Sequence, residues 1–208
     1  MEAVIIDYNM CNLYSVQAAL TKVNINSKIS SSENEILEAK CAILPGVGSF
    51  NKAMDYINEK KIDIIISKFI KTEKPLIGIC LGMQLLFEES HEYSYTKGLG
   101  LLKGKVIKFD FDIKKIPVPH TGWNQIHIVN NNNKLLSNLS KDEMMYFVHS
   151  YYAQPEDENI ISTYTEYEGK KFCSSINYKN IYAFQFHPEK SSIAGLKIYE
   201  NINKLIKE

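Results

Sequence analysis

Hydrophobic and polar positions follow two different rhythms along this chain, and the change of rhythm divides it. Over roughly the first 90 residues, short β-branched runs alternate with segments whose apolar residues recur at helical spacing. Residues 3–7 (Ala-Val-Ile-Ile-Asp) read as a strand. Leu13, Val16, Leu20 and Val23 then mark one face of a helix, with Asn12 as its candidate N-cap. A second unit pairs a strand near 24–29 with a helical 35–40, and a third strand at 41–45 runs into Pro45-Gly46-Val47-Gly48. Two amphipathic helices are expected across 50–71, followed by a buried-type strand at 75–79.

Beyond about Gly98 the rhythm becomes strand-like. Segments 102–111, 123–129, 144–152, 160–167, 172–178 and 181–187 read as successive strands, several at hairpin spacing. The Asn130–Asn133 run reads as a solvated turn, and residues 191–207 carry a closing helix. Strands alternating with helices imply right-handed crossovers and a parallel sheet covered on both faces. The expected fold is a three-layer α/β sandwich, flavodoxin-like, with a mixed, largely parallel central sheet and a strand-rich second half. With neither repeat nor linker, the 208 residues are read as one domain.

Composition narrows the function classes. Lys+Arg 24 balances Asp+Glu 24, which disfavours a nucleic-acid or anionic-membrane binder. Every basic residue is lysine, so planar guanidinium recognition of phosphate or carboxylate is absent. No apolar run approaches the ~20 residues that span a bilayer, and the N-terminus does not read as a secretory signal. Four scattered cysteines without a CxxC pair exclude a disulfide framework and a zinc site. A cytoplasmic protein without metal or cofactor is the expectation.

The sharpest chemistry lies at Gly78-Ile79-Cys80-Leu81-Gly82-Met83-Gln84, where a buried strand meets an amphipathic helix. A nucleophile on such an elbow projects from the carboxyl edge of the sheet, and the tight turn demands small neighbours at −2 and +2. The free N–H groups of the following helix favour a thiolate and a nearby oxyanion. Cys11, Cys41 and Cys173 lack this setting and read as structural. His187-Pro188-Glu189 ends an apolar strand. In extended chain Glu189 would project to the same side as His187 and orient its imidazole, giving a nucleophile–base–orienter set with Cys80. His149 ranks second as a base, His91-Glu92 reads as solvated loop, and His127 as structural. The glycine turn carrying Val47 and Gly48, with the Leu81 N–H, is the candidate oxyanion hole.

Together these motifs resemble the class I, triad-type glutamine amidotransferases. G-x-C-x-G-x-Q, P-G-V-G and F-H-P-E-K are joined by Asp7-Tyr8, Asn12-Leu13, Pro119-His120 and Gly122-Trp123-Asn124, covering almost the whole length. Within the family the set looks most like glutaminase subunits of imidazole glycerol phosphate synthase. The resemblance implies that Cys80 attacks glutamine, His187 moves the protons and Glu189 holds His187. It assigns the oxyanion to backbone at Leu81 and Val47–Gly48. Gln84 and the Ser150-Tyr151 backbone would hold glutamine. It implies a heterodimer with a (β/α)8-barrel cyclase that takes the ammonia, with Trp123, Asn124 and Lys190 facing that partner. One departure stands out: where the family reads D-Y-G-x-G-N-L-R-S, this chain has Asn9, Cys11 and Tyr14. Other readings keep the same elbow: a paralogue feeding ammonia to a sugar-amidating enzyme, a cysteine peptidase or glutamyl hydrolase, or a binding module with a relic site.

Overall fold

The computed structural model describes residues 1–10, 12–112 and 114–208. Four βα-type steps open the chain: β1 (Ala3–Ile6), α1 (Leu13–Lys22), β2 (Ser27–Ser30), α2 (Glu33–Glu38), β3 (Cys41–Gly46), α3 (Phe50–Glu59), α4 (Ile62–Ile70), β4 (Leu76–Cys80) and α5 (Leu81–Leu85). The strand-rich half follows with β5 (Phe87–Ser90), β6 (Thr96–Lys97), β7 (Leu102–Lys108), β8 (His120–Ile128), β9 (Asp142–His149), β10 (Tyr151–Pro155), β11 (Ile161–Tyr167), β12 (Lys170–Tyr178) and β13 (Ile181–Phe184), and α6 (Ser192–Leu205) closes it.

The central sheet has nine strands in the order β2-β1-β3-β4-β13-β12-β11-β8-β9. The first five are mutually parallel. The remaining four are added antiparallel. β1, β3 and β4 are buried along their whole length, because helices cover both faces and leave no side for polar residues. The strand period of two sorts their side chains. Ala3 and Ile5 pack with Val16 and Leu20 of α1 and Ile198 and Ile202 of α6. Val4 and Ile6 pack with Ile36 of α2, Phe50 and Met54 of α3, and Ile62 and Phe69 of α4. This is the three-layer arrangement expected of the sequence.

A second sheet, β10-β7-β5-β6, lies on the α2–α4 side, where Phe87, Leu102, Val106 and Ala153 join the same core. It was not foreseen. The run 144–152 reads as one strand in sequence, but the chain breaks at Ser150, beside the polar His149, and β9 and β10 belong to different sheets. That crossing carries residues 149–151 over the carboxyl edge of β4. Two smaller expectations also change. Asn12 does not cap α1; its side chain accepts from Ser15 instead. Asn133 is buried rather than solvated, capping a 3₁₀ turn at Leu135 and donating to Ser162. Among the described residues, no helix is long and apolar enough to cross a membrane.

Candidate active site

Cys80 ends β4 opposite Gly46 of β3 and sits at φ 54°, ψ −111°, a region L-residues rarely occupy. The strand must reverse within one residue to enter α5, and the strain of order 1–3 kcal/mol is held by the packing around it. That packing explains the two glycines. A Cβ on Gly82 would lie 1.7 Å from the Leu44 carbonyl oxygen, and one on Gly78 would lie 3.0 Å from the Gly82 oxygen. α5 is only five residues and wholly buried, not the amphipathic helix expected. Its contribution is therefore its free first-turn N–H groups rather than a developed dipole. Burial pushes the Cys41 thiol up to about 12 and Cys173 higher still, so neither offers a thiolate. Cys11 lies outside the described residues.

β13 runs parallel beside β4, with Phe184 opposite Ile79, which delivers His187 to the same edge. His187 Nδ1 and Glu189 Oε1 are 2.7 Å apart, and both side chains are 2% exposed. The route differs from the one anticipated. Pro188–Lys190 form a 3₁₀ turn, and this turn, not extended-strand alternation, brings the carboxylate under the ring. The His187 segment is pinned by backbone: its N–H donates to Tyr146 O, and Ser191 Oγ donates to His187 O while accepting from Tyr146 N. Burial opposes an imidazolium here. The charge and hydrogen bonding of Cys80, with those of Glu189, outweigh it and hold His187 well above its ordinary range. Nε2 of His187 is nonetheless buried without a fully formed hydrogen bond, leaving it free to exchange a proton across the cavity.

Cys80 and His187 line one cavity of about 410 Å³, with Val47, Gly48, Leu81, Gln84, Glu92, Ser150 and Tyr151 among its walls. Such a volume suits a small polar ligand. Gln84 is fixed by donating from Nε2 to Tyr151 O (2.8 Å) and to Gln185 Oε1 (2.9 Å). One expectation needs correction. The Val47 N–H already donates to Met10 O at 3.0 Å, so it is not free for an oxyanion. Of that candidate hole, Leu81 and Gly48 remain in the cavity wall. Ser150 and Tyr151 stand in the cavity wall, the Ser150 carbonyl accepting the Phe109 N–H and the Tyr151 carbonyl accepting from Gln84 and His149. Glu92 was missed: it was assigned to a solvated loop, but half-burial raises its carboxyl while its Oε2 accepts the Phe50 N–H. No local pattern marks it, since 42 residues separate the partners.

His149 lines the cavity but is no base. Burial holds it at about 3, despite its hydrogen bond to Tyr151 O, and the charges of His120 and His187 add to the depression. His127, read as structural, is half exposed and paired with Asp142 at 2.8 Å. Trp123 is 51% exposed, edge-on to Tyr146, and Lys190 is exposed with its Nζ 5.9 Å from that same ring. Asn124, expected to face outward with Trp123, turns inward instead and donates to His120 and to Glu166 O. Strand alternation forces this, since neighbours on β8 point to opposite faces.

A model of the class-I glutamine amidotransferases matches residues 4–203. The imidazole glycerol phosphate synthase subunit HisH of Aquifex aeolicus (strain VF5) is 44% identical over 205 residues, covering 98% of this chain and 97% of that one. Its counterpart in Bacillus subtilis (strain 168) is 42% identical over 207 residues, covering 98% and 96%. In fold the chain is similar to PurLQS from Thermotoga maritima, with TM-score 0.77 at 18% identity over 98% of this chain and 97% of that one. It also resembles the acivicin-bound glutaminase domain of Trypanosoma brucei CTPS, with TM-score 0.71 at 15% identity over 100% and 94%. With its elbow cysteine, its buried His–Glu pair and this match along nearly its full length, the chain belongs to the class-I glutamine amidotransferase family.

Proposed function

We propose that the chain is the glutaminase subunit of an imidazole glycerol phosphate synthase. It hydrolyses glutamine to glutamate and passes the ammonia to a (β/α)8-barrel cyclase partner in histidine biosynthesis in the cytoplasm. The single observation that carries this reading is identity of 42–44%, end to end, with subunits of that synthase. The geometry supports the chemistry it requires. His187 accepts the Cys80 proton, and the thiolate attacks the side-chain amide carbon of glutamine. The Leu81 N–H meets the oxyanion that develops. Collapse breaks the C–N bond, His187 returns its proton to the departing ammonia, and a glutamyl thioester remains. His187 then takes a proton from water, whose hydroxide attacks the thioester and frees glutamate and Cys80. Glu189 keeps the ring oriented through Nδ1.

Gln84 and Glu92 stand on the wall to hold the amino-acid end of glutamine. Glu92 supplies the negative charge that its ammonium group requires. A peptide substrate would not carry that free ammonium, which favours amidotransfer over peptidase chemistry. Trp123, Tyr146 and Lys190 form the exposed patch beside the site that suits the partner.

The test combines the chain with a barrel cyclase and follows product formation from glutamine and from free ammonia separately. Cys80→Ala should abolish the glutamine-dependent reaction and leave the ammonia-dependent one intact. Retained glutamine-dependent turnover would overturn the reading. Glutamine-dependent turnover only with a sugar-amidating synthase in place of the cyclase would move the chain to the glycan paralogues.

A further inference from the structure

We propose that Gln185 is a catalytic residue, donating an N–H to the Cys80 sulfur while fixing which end of the Gln84 amide faces the ligand. This deepens the glutaminase reading and rests on it. Gln185 follows β13 and is fully buried between Phe184 and Phe186, themselves fully buried. A neutral amide in such surroundings is costly unless both its ends are paired, and an aliphatic side chain would fill the volume without that cost. Its partners are specific. Its Oε1 lies 2.9 Å from Gln84 Nε2 and its Nε2 lies 3.8 Å from Cys80 Sγ.

The direction of this relay is set by one group that cannot be reversed. The Tyr151 carbonyl can only accept, so the Gln84 group 2.8 Å from it must be the NH₂. That same NH₂ faces Gln185, which must therefore present its carbonyl there. The Gln185 NH₂ is left with the sulfur as its partner. Tyr151 O also accepts from His149 Nδ1 at 2.8 Å, so its lone pairs are occupied and the arrangement is locked. Two consequences follow. A thiolate accepts an N–H more strongly than a thiol does, so the Gln185 donor favours the ionised nucleophile once its proton has passed to His187. With both N–H groups of Gln84 spent inward, its carbonyl oxygen is the end available to a donor on the bound glutamine.

The experiment uses the full chain with its partner and two volume-conserving variants. Site-resolved alkylation of Cys80 by iodoacetamide across pH reads the nucleophile, and KM for glutamine reads the Gln84 arm. In Gln185→Met both arms are lost. The alkylation midpoint should rise by about one pH unit, a tenfold loss of thiolate at fixed pH, and KM should rise about tenfold. Gln185→Glu still accepts from Gln84 but gives the sulfur a carboxylate in place of an N–H. Its KM should stay within about threefold while the midpoint rises at least as far as in the Met variant. This split is one that mere loss of packing would not produce, and the Glu variant keeps the test open if the Met variant misfolds. Wild-type alkylation midpoints in the folded variants would overturn the proposal. So would KM rising equally in both. Glutamine hydrolysis surviving Cys80→Ala would instead bring down the glutaminase reading itself.

Discussion

The Glu92 carboxylate accepts the backbone N–H of Phe50 at 2.6 Å, tying the outer wall of the cavity to the first turn of α3. On the proposed glutaminase reading, that anchor holds a negative charge for the ammonium group of glutamine. Replacing it by a neutral amide, Glu92→Gln, keeps size and removes charge. A charge-assisted hydrogen bond is worth about 1.5–3 kcal/mol, so KM for glutamine should rise roughly 10- to 100-fold, with kcat changed far less. Burial raises the Glu92 carboxyl, the Phe50 N–H only partly offsetting it, so the group protonates at higher pH than an exposed carboxylate. KM in the wild type should accordingly climb on mild acidification, and Glu92→Gln should abolish that climb. Steady-state kinetics against pH would check both.

The elbow stores strain that can be measured without any chemistry. Cys80→Gly and Cys80→Ala are both expected to be inactive, but glycine adopts φ near 54° freely whereas alanine does not. After the extra freedom of glycine in the unfolded chain is subtracted, Cys80→Gly should be the more stable of the two by about 1 kcal/mol in urea unfolding. Gly82→Ala goes the other way, because its Cβ would meet the Leu44 backbone at 1.7 Å, where nothing can move aside cheaply. A loss above about 3 kcal/mol, or no folded protein, is the expected result.

How much of this was legible in the chain follows from how local each cause is. The apolar runs of β1, β3 and β4 and the helical spacing of α1 are properties of consecutive residues, and they placed the parallel core and its elbow correctly. Gly78 and Gly82 advertise a crowded turn for the same reason. The division of 144–152 at Ser150 was not read there, since only the polar His149-Ser150 pair interrupts the apolar run and the packing of two separate sheets decides that the chain breaks at it. Asn124 was given the outlook of Trp123, although alternation along β8 turns neighbours to opposite faces. Glu92, Gln185 and the engaged Val47 N–H depend on partners 42, 101 and 37 residues away, beyond any local pattern.

His120 and His149 make a neutral pair, Nδ1 to Nε2 at 3.1 Å, deep in the aromatic layer behind the cavity. Burial holds His120 at about 4 and His149 at about 3, both below the unfolded value near 6.5. Between these limits the unfolded chain binds protons that the folded chain refuses. The pair's contribution is therefore complete above pH 6.5 and is lost as pH falls. From pH 7 to 5 each histidine should cost roughly 2 kcal/mol of stability. Urea unfolding at the two pH values would show it, and His149→Gln should shrink the difference by about half while lowering stability at pH 7.

Val47 gives its N–H to Met10 across 3.0 Å, so a donor that the elbow's geometry invites into the site is turned toward another loop. Gly48, with φ of +94°, follows directly, and the backbone there can rotate without a Cβ to obstruct it. Removing one oxyanion donor typically costs ~10²–10³ in kcat. The isolated chain should therefore hydrolyse glutamine slowly and gain on that scale when its partner displaces Met10 from Val47. Hydrogen exchange supplies the structural half of the test, with the Val47 amide protected in the free chain and deprotected in the complex before glutamine is added. Equal glutaminase rates with and without the partner, or an amide whose protection never changes, would mean that catalysis proceeds on the Leu81 donor without Val47.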